Sequence, residues 1–98
     1  MIHEPTKLGD FQKLVAEDLT FAYFTADWCG PCKMVSPVFK ELRNVQLIKV
    51  DADAAEEIFV KYKIKSIPSI QVWKAGALIE TVHGCSVDKL NKVHEKYV

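Results

Sequence analysis

The stretch T25-A-D-W-C-G-P-C-K33 places Cys29 and Cys32 three residues apart, with Gly30 and Pro31 between them and Trp28 in front. Upstream, L19-T-F-A-Y-F-T25 is an unbroken apolar and aromatic run of strand length, the pattern of a strand covered on both faces. Downstream, Cys32, Val35, Val38, Phe39 and Leu42 recur on one helical face, which predicts a helix from the cysteine pair to about Arg43, kinked by the internal Pro37. The cysteines therefore fall at a strand-to-helix junction. Three readings compete for them: a redox pair, a metal site, or two inert buried thiols.

Outward from this junction the chain alternates between strand and helix periods. A short extended piece near Ile2 precedes a helix that Thr6 can cap and that carries Phe11, Leu14 and Val15 at i, i+3, i+4. Q46-L-I-K-V-D51 is a second buried strand. Asp53, with Glu56 three residues later, resembles a capping box opening a helix that carries Ala55, Ile58, Phe59 and Tyr62. S69-I-Q-V-W73 and L78-I-E-T-V82 alternate around K74-A-G-A77 and predict an antiparallel hairpin in which Trp73 belongs to the core. Val87, Leu90, Val93 and Tyr97 mark a closing helix. The order βαβαβαββα implies an α/β fold: a central mixed sheet of about five strands flanked on both faces by about four helices.

Ninety-eight residues predict one domain spanning 1–98, enough to bury roughly 60 to 70% of the unfolded surface. Thirteen Lys and Arg balance thirteen Asp and Glu, so no bulk positive field attracts nucleic acid or an anionic membrane. The first ten residues lack the apolar core of a signal peptide, and no apolar run approaches the roughly 18 residues of a membrane span. The expected location is cytoplasmic. In such a reducing compartment three cysteines are too few and odd in number for a stapled framework, so a CxxC points to catalysis or metal binding.

The chemistry follows from the junction. A cysteine at a helix N-terminus sits beside unpaired backbone N–H groups and the positive end of the macrodipole, which favours its thiolate, the attacking form. Cys29 is the candidate nucleophile. Cys32, one turn further in, lies near enough to close a disulfide and is the candidate resolving thiol. Pro31 suits the first helical turn, and Gly30 leaves room for a substrate backbone. A zinc or iron–sulfur site wants a second compact ligand pair, which Cys85, His3, His83 and His94 do not form.

W28-C-G-P-C-K33 resembles the active-site motif of the thioredoxin family, and the similarity extends over essentially the whole chain. K65-S-I-P-S69 stands where that family has its cis-proline loop, D51-A-D53 follows its third strand, Lys49 occupies its lysine position, and Gly84 its glycine turn before the last helix. The resemblance implies the thioredoxin fold, with a cis Ile67-Pro68 peptide, Ile67 pairing its backbone with a substrate chain, and Trp28, Pro31 and Ile67 forming an apolar rim. An ordinary turn proline and a core tryptophan are the bland readings of Pro68 and Trp28.

Two positions depart from the family. Tyr23 stands where a buried aspartate is usual, six residues before Cys29. A phenol is a poor base at neutral pH, so its hydroxyl either bonds Lys49 or a water near Cys32, or is simply satisfied in the core. Slower resolution, with solvent or Asp27 as proton acceptor, is the functional expectation. His83 replaces a small apolar residue and is expected at the substrate groove, where an imidazolium would stabilise the Cys29 thiolate; a solvated strand-end histidine is the alternative. Cys85 reads as a small buried residue, or else as a modification or dimerisation site.

The resulting expectation is a monomeric thiol–disulfide oxidoreductase that reduces disulfide-containing proteins. It binds no cofactor: the reversible Cys29–Cys32 disulfide is its redox group. Its electrons come from an external donor, either thioredoxin-reductase-like or glutathione-linked. The competing class is a thioredoxin-fold partner-binding or accessory module with a redox-gated groove. An oxidase or isomerase would favour a more polar dipeptide between the cysteines.

Overall fold

The run Leu19–Thr25, apolar at nearly every position, forms strand β2 at the centre of a five-stranded sheet. The computed structural model describes residues 2–98. In chain order the elements are β1 Ile2–His3, α1 Leu8–Val15, β2, α2 Cys32–Phe39, β3 Gln46–Asp51, α3 Glu56–Lys61, β4 Ser69–Lys74, β5 Ala77–Val82 and α4 Val87–Tyr97. β3 runs parallel to β1 and β2, while β4 is antiparallel to β2 and β5. The sheet is therefore mixed.

Residue parity in β2 shows why the run had to be apolar on both sides. Phe21 and Tyr23 face a core built with Val35 and Phe39 of α2 and Leu90 and Val93 of α4. Ala22 and Phe24 face the opposite core, with Phe11 and Val15 of α1 and Ile58 of α3. Trp73 belongs to this second core, edge-on to Phe11 and Tyr62, its indole N–H donating to Gln71 Oε1 at 2.9 Å. Truncating a side chain such as Phe24, fully buried, costs about 3–5 kcal/mol.

Three expected element ends are corrected. Thr6 does not cap α1: Lys7 holds the N-cap position, and no side chain bonds the helix start there. Asp53 does not cap α3 either; Ala55 does, without a side-chain bond, because the Asp53 carboxylate is turned elsewhere. α2 ends at Phe39 rather than Arg43, since Glu41 N–H and Leu42 N–H reach back three residues to Val38 and Phe39. Leu42 still packs on the core from this turn, so the apolar period outlasts the helix.

The β4–β5 hairpin turns at Ala75 and Gly76, both with positive φ (51° and 86°). That is the two-residue turn whose twist matches the flanking strands. Ala75 N–H and Gly76 N–H donate to Glu17 O and Val15 O at 2.8 and 2.9 Å, docking the turn on the end of α1. Among the described residues α4 alone has a side-chain N-cap, with Lys89 N–H donating to Ser86 Oγ at 3.2 Å.

Candidate active site

β2 delivers the chain to the C-terminal edge of the sheet, where residues 26–29 turn, with Cys29 N–H donating to Ala26 O at 3.1 Å. α2 then begins: Pro31 is its N-cap, at φ −60°, and Cys32 its first residue. Cys29 and Cys32 form a disulfide with their Cα atoms 5.4 Å apart. Both are buried, at 4% and 2% exposure, so the reactive pair meets solvent only at its edge. Cys32 N–H points at Cys29 Sγ, 3.3 Å away, which is a donor from the helix start aimed at the sulfur expected to attack.

A cavity of about 240 Å³ opens beside both cysteines, lined also by Asp27, Lys33, Ser36 and Lys49. Lys49 lies within 3.9 Å of Glu4 across its outer side. Among the described residues no three His, Cys, Asp or Glu side chains gather as a metal-holding group. No helix is long and apolar enough to cross a membrane among those residues.

The Ile67-Pro68 peptide is cis. Pro68 is buried, and Ile67, half-buried, packs against the cluster that contains both cysteines. Cys85 N–H donates to Pro68 O at 2.7 Å, which ties the loop after β5 to the proline loop. Gly84 turns between them at φ +59°, a conformation that favours glycine. Gly30 is exposed, and a Cβ placed on it would meet nothing within 4 Å.

The thioredoxin family profile matches residues 3–96. Thioredoxin-T of Drosophila melanogaster is 42% identical over 94 residues, covering 90% of this chain and 60% of its own length. Thioredoxin 1 of Plasmodium falciparum is 32% identical over 102 residues, covering 99% and 98%. A solved Plasmodium falciparum thioredoxin superposes with a TM-score of 0.91 at 32% identity, covering 98% of this chain and 99% of that one. The chain belongs to the thioredoxin family.

Its cysteine pair is accordingly that of a protein-disulfide oxidoreductase, in which the dithiol itself is the redox group. Thioredoxins act on disulfide substrates and are reduced by thioredoxin reductase. Within this frame Trp28 is not a core residue: it is 67% exposed. Its indole N–H donates to Asp53 Oδ2 at 3.0 Å, a contact the sequence reading missed by assigning Asp53 to a cap. Tyr23 is a core aromatic with a satisfied hydroxyl, the second of its two expected readings. Its hydroxyl does not bond Lys49 but donates to Cys32 O at 3.2 Å and meets Ser36 Oγ at 2.8 Å. Ser36, four residues after Cys32, escaped notice because nothing in its spacing separates it from an ordinary helix serine. His83 is exposed beside Gly84, and Asp27 is exposed at the cavity. Cys85 is buried at 4% exposure. Burial pushes its thiol up to about 11, only partly offset by Lys89.

Proposed function

We propose that this thioredoxin-family chain works in the reducing direction, on disulfides of folded or partly folded proteins. The observation that carries the reading is the Cys29–Cys32 disulfide at the start of α2, with the Cys32 amide aimed at Cys29 Sγ. In the dithiol form the Cys29 thiolate attacks one sulfur of a substrate disulfide; that S–S bond breaks, and the first substrate thiolate leaves. Cys32, having lost its proton, then attacks Cys29 Sγ. The 29–32 disulfide forms, the second thiolate leaves, and both take protons from solvent, so the substrate gains two electrons.

Ile67 would pair its backbone with the substrate strand, beside Pro68 and Gly84, while Gly30 leaves that strand room and Trp28 with Pro31 covers it. His83, exposed beside Gly84, would meet substrate from the β5 side, and Asp27, Lys33 and Lys49 are the charges at the cavity. One copy holds all of these residues, in keeping with a single-domain monomer. The electron donor is a separate thioredoxin-reductase-like or glutathione-linked protein, and a dithiol that must stay reduced fits the cytoplasm.

The test is dithiothreitol-driven reduction of a model protein disulfide. Wild type should accelerate it strongly and Cys29→Ser should abolish the acceleration, while Cys32→Ser should accumulate a mixed disulfide on Cys29. Uncatalysed rates with wild type would instead favour a partner-binding module, which keeps its partner when both cysteines become serine.

A further inference from the structure

Among the described residues no carboxylate is buried, so no acid side chain stands behind the cysteine pair. What stands there is a neutral chain of two hydroxyls. Tyr23 is 1% exposed on the central strand, and its hydroxyl meets two groups of α2. A phenol carries one proton, and Tyr23 donates it to Cys32 O; the 2.8 Å contact is therefore made by Ser36 O–H donating into the Tyr23 oxygen. Both protons are directed along the chain toward the Cys32 carbonyl. The far end, Ser36, is half-buried and lines the cavity shared with Cys29 and Cys32. The Tyr23 ring packs on Phe39 at 4.9 Å between centroids, the two planes tilted by 36°, which holds the phenol against α2.

We propose that Tyr23, braced by Ser36, is a positioning residue of the resolving step: it pins the backbone of Cys32 and so fixes the reach of the Cys32 sulfur toward Cys29. The inference rests on the reading of Cys29 as attacking and Cys32 as resolving thiol. Tyr23 takes no proton in the step. Its own is committed to the Cys32 carbonyl and its oxygen already accepts one from Ser36, so the proton that Cys32 sheds passes to solvent or to Asp27 at the cavity. Small errors in such a reach cost rate steeply, up to roughly a hundredfold per ångström. Losing one of the bonds that hold it should therefore slow resolution without touching the first attack.

Reduced protein mixed with an aromatic disulfide, 5,5′-dithiobis(2-nitrobenzoate), separates the two steps. Cys29 attack releases one coloured thiolate and leaves the other half on Cys29; Cys32 attack on Cys29 Sγ closes the 29–32 disulfide and releases the second. Tyr23→Phe is expected to keep the first release within about twofold of wild type and to slow the second about three- to tenfold. Ser36→Ala should give part of that loss, and the double variant no more than Tyr23→Phe, because the two hydroxyls form one chain. The second release should rise with pH along one ionisation, with the same midpoint in wild type and Tyr23→Phe and only a lower plateau in the variant. A midpoint that moves, marking a proton-transfer role, or a second release of unchanged rate in both single variants, would overturn the proposal. So would equal slowing of both releases. A wild type with no second release would instead remove the attacking-and-resolving reading, and this inference with it. Ser36→Ala, at a half-buried site, carries the test if Tyr23→Phe does not fold.

Discussion

Asp53, two residues past the end of β3, accepts a hydrogen bond from the indole N–H of Trp28, twenty-five positions earlier in the chain. The bond holds a tryptophan that is two-thirds exposed. Asp53 is itself oriented locally, its N–H donating to Asp51 Oδ1 at 2.8 Å. An acid that the sequence reads as a helix cap thus serves the rim of the active site.

Removing that acceptor should loosen the rim rather than the chemistry. A bond of this kind is worth about 0.5–1.5 kcal/mol, and exposure puts this one at the low end. Asp53→Ala is expected to raise the KM for a protein disulfide about two- to fivefold, while the first release from the small aromatic disulfide stays near wild type. Asp53→Asn, which keeps an acceptor oxygen, should fall between. Equal effects on large and small substrates would mean that the contact steadies the cysteines instead.

The buried Cys85 predicts an alkaline weakness. Its thiol is held up to about 11 in the folded chain, from an ordinary value near 9. Between those values the unfolded chain has lost the proton and the folded chain keeps it, so stability falls as pH rises, by up to about 1.4 kcal/mol per unit. Burial raises Tyr62 as well, with the same sign, so Cys85→Ala should flatten the decline without removing it. Urea midpoints from pH 8 to 10.5 measure this. At pH 8 the same burial should leave Cys85 unreactive to iodoacetamide in the native dithiol form and reactive in urea; rapid native labelling of Cys85 would contradict it.

Ala75 pays for the hairpin turn with a left-handed backbone that an alanine seldom adopts. Asn tolerates that conformation, and Asn-Gly is the preferred pair for this turn. Ala75→Asn is expected to raise stability by about 0.5–1 kcal/mol, which is about 2–8 °C in Tm for a domain of this size. Thermal unfolding followed by circular dichroism decides it, and an unchanged Tm would mean that docking on Glu17 and Val15 already sets the turn.

The element order was legible throughout, because burial on two faces leaves its period in strands such as Leu19–Thr25 and helices such as Val87–Tyr97. Ends were less so. The period of Val38, Phe39 and Leu42 reports which residues touch the core, and Leu42 does so from a turn, so the pattern carried α2 too far. Caps failed for a related reason: Thr6 and Asp53 have the right chemistry, but a cap depends on where neighbouring chains place the side chain. The cysteine pair was readable from its spacing, and the cis peptide from the resemblance that this motif carries. The partners of Tyr23 and Trp28 were not, since each lies across the fold, set by the rotation of α2 and the path of the loop after β3.

The donor aimed at Cys29 Sγ is the amide of Cys32, a part of the main chain. No ordinary exchange of side chains deletes it; proline at position 32 alone would, and that would also remove the resolving thiol. The partner of Cys29 Sγ is therefore sheltered from mutational drift, and substitutions that keep this turn can reach that sulfur only through the side chains around it.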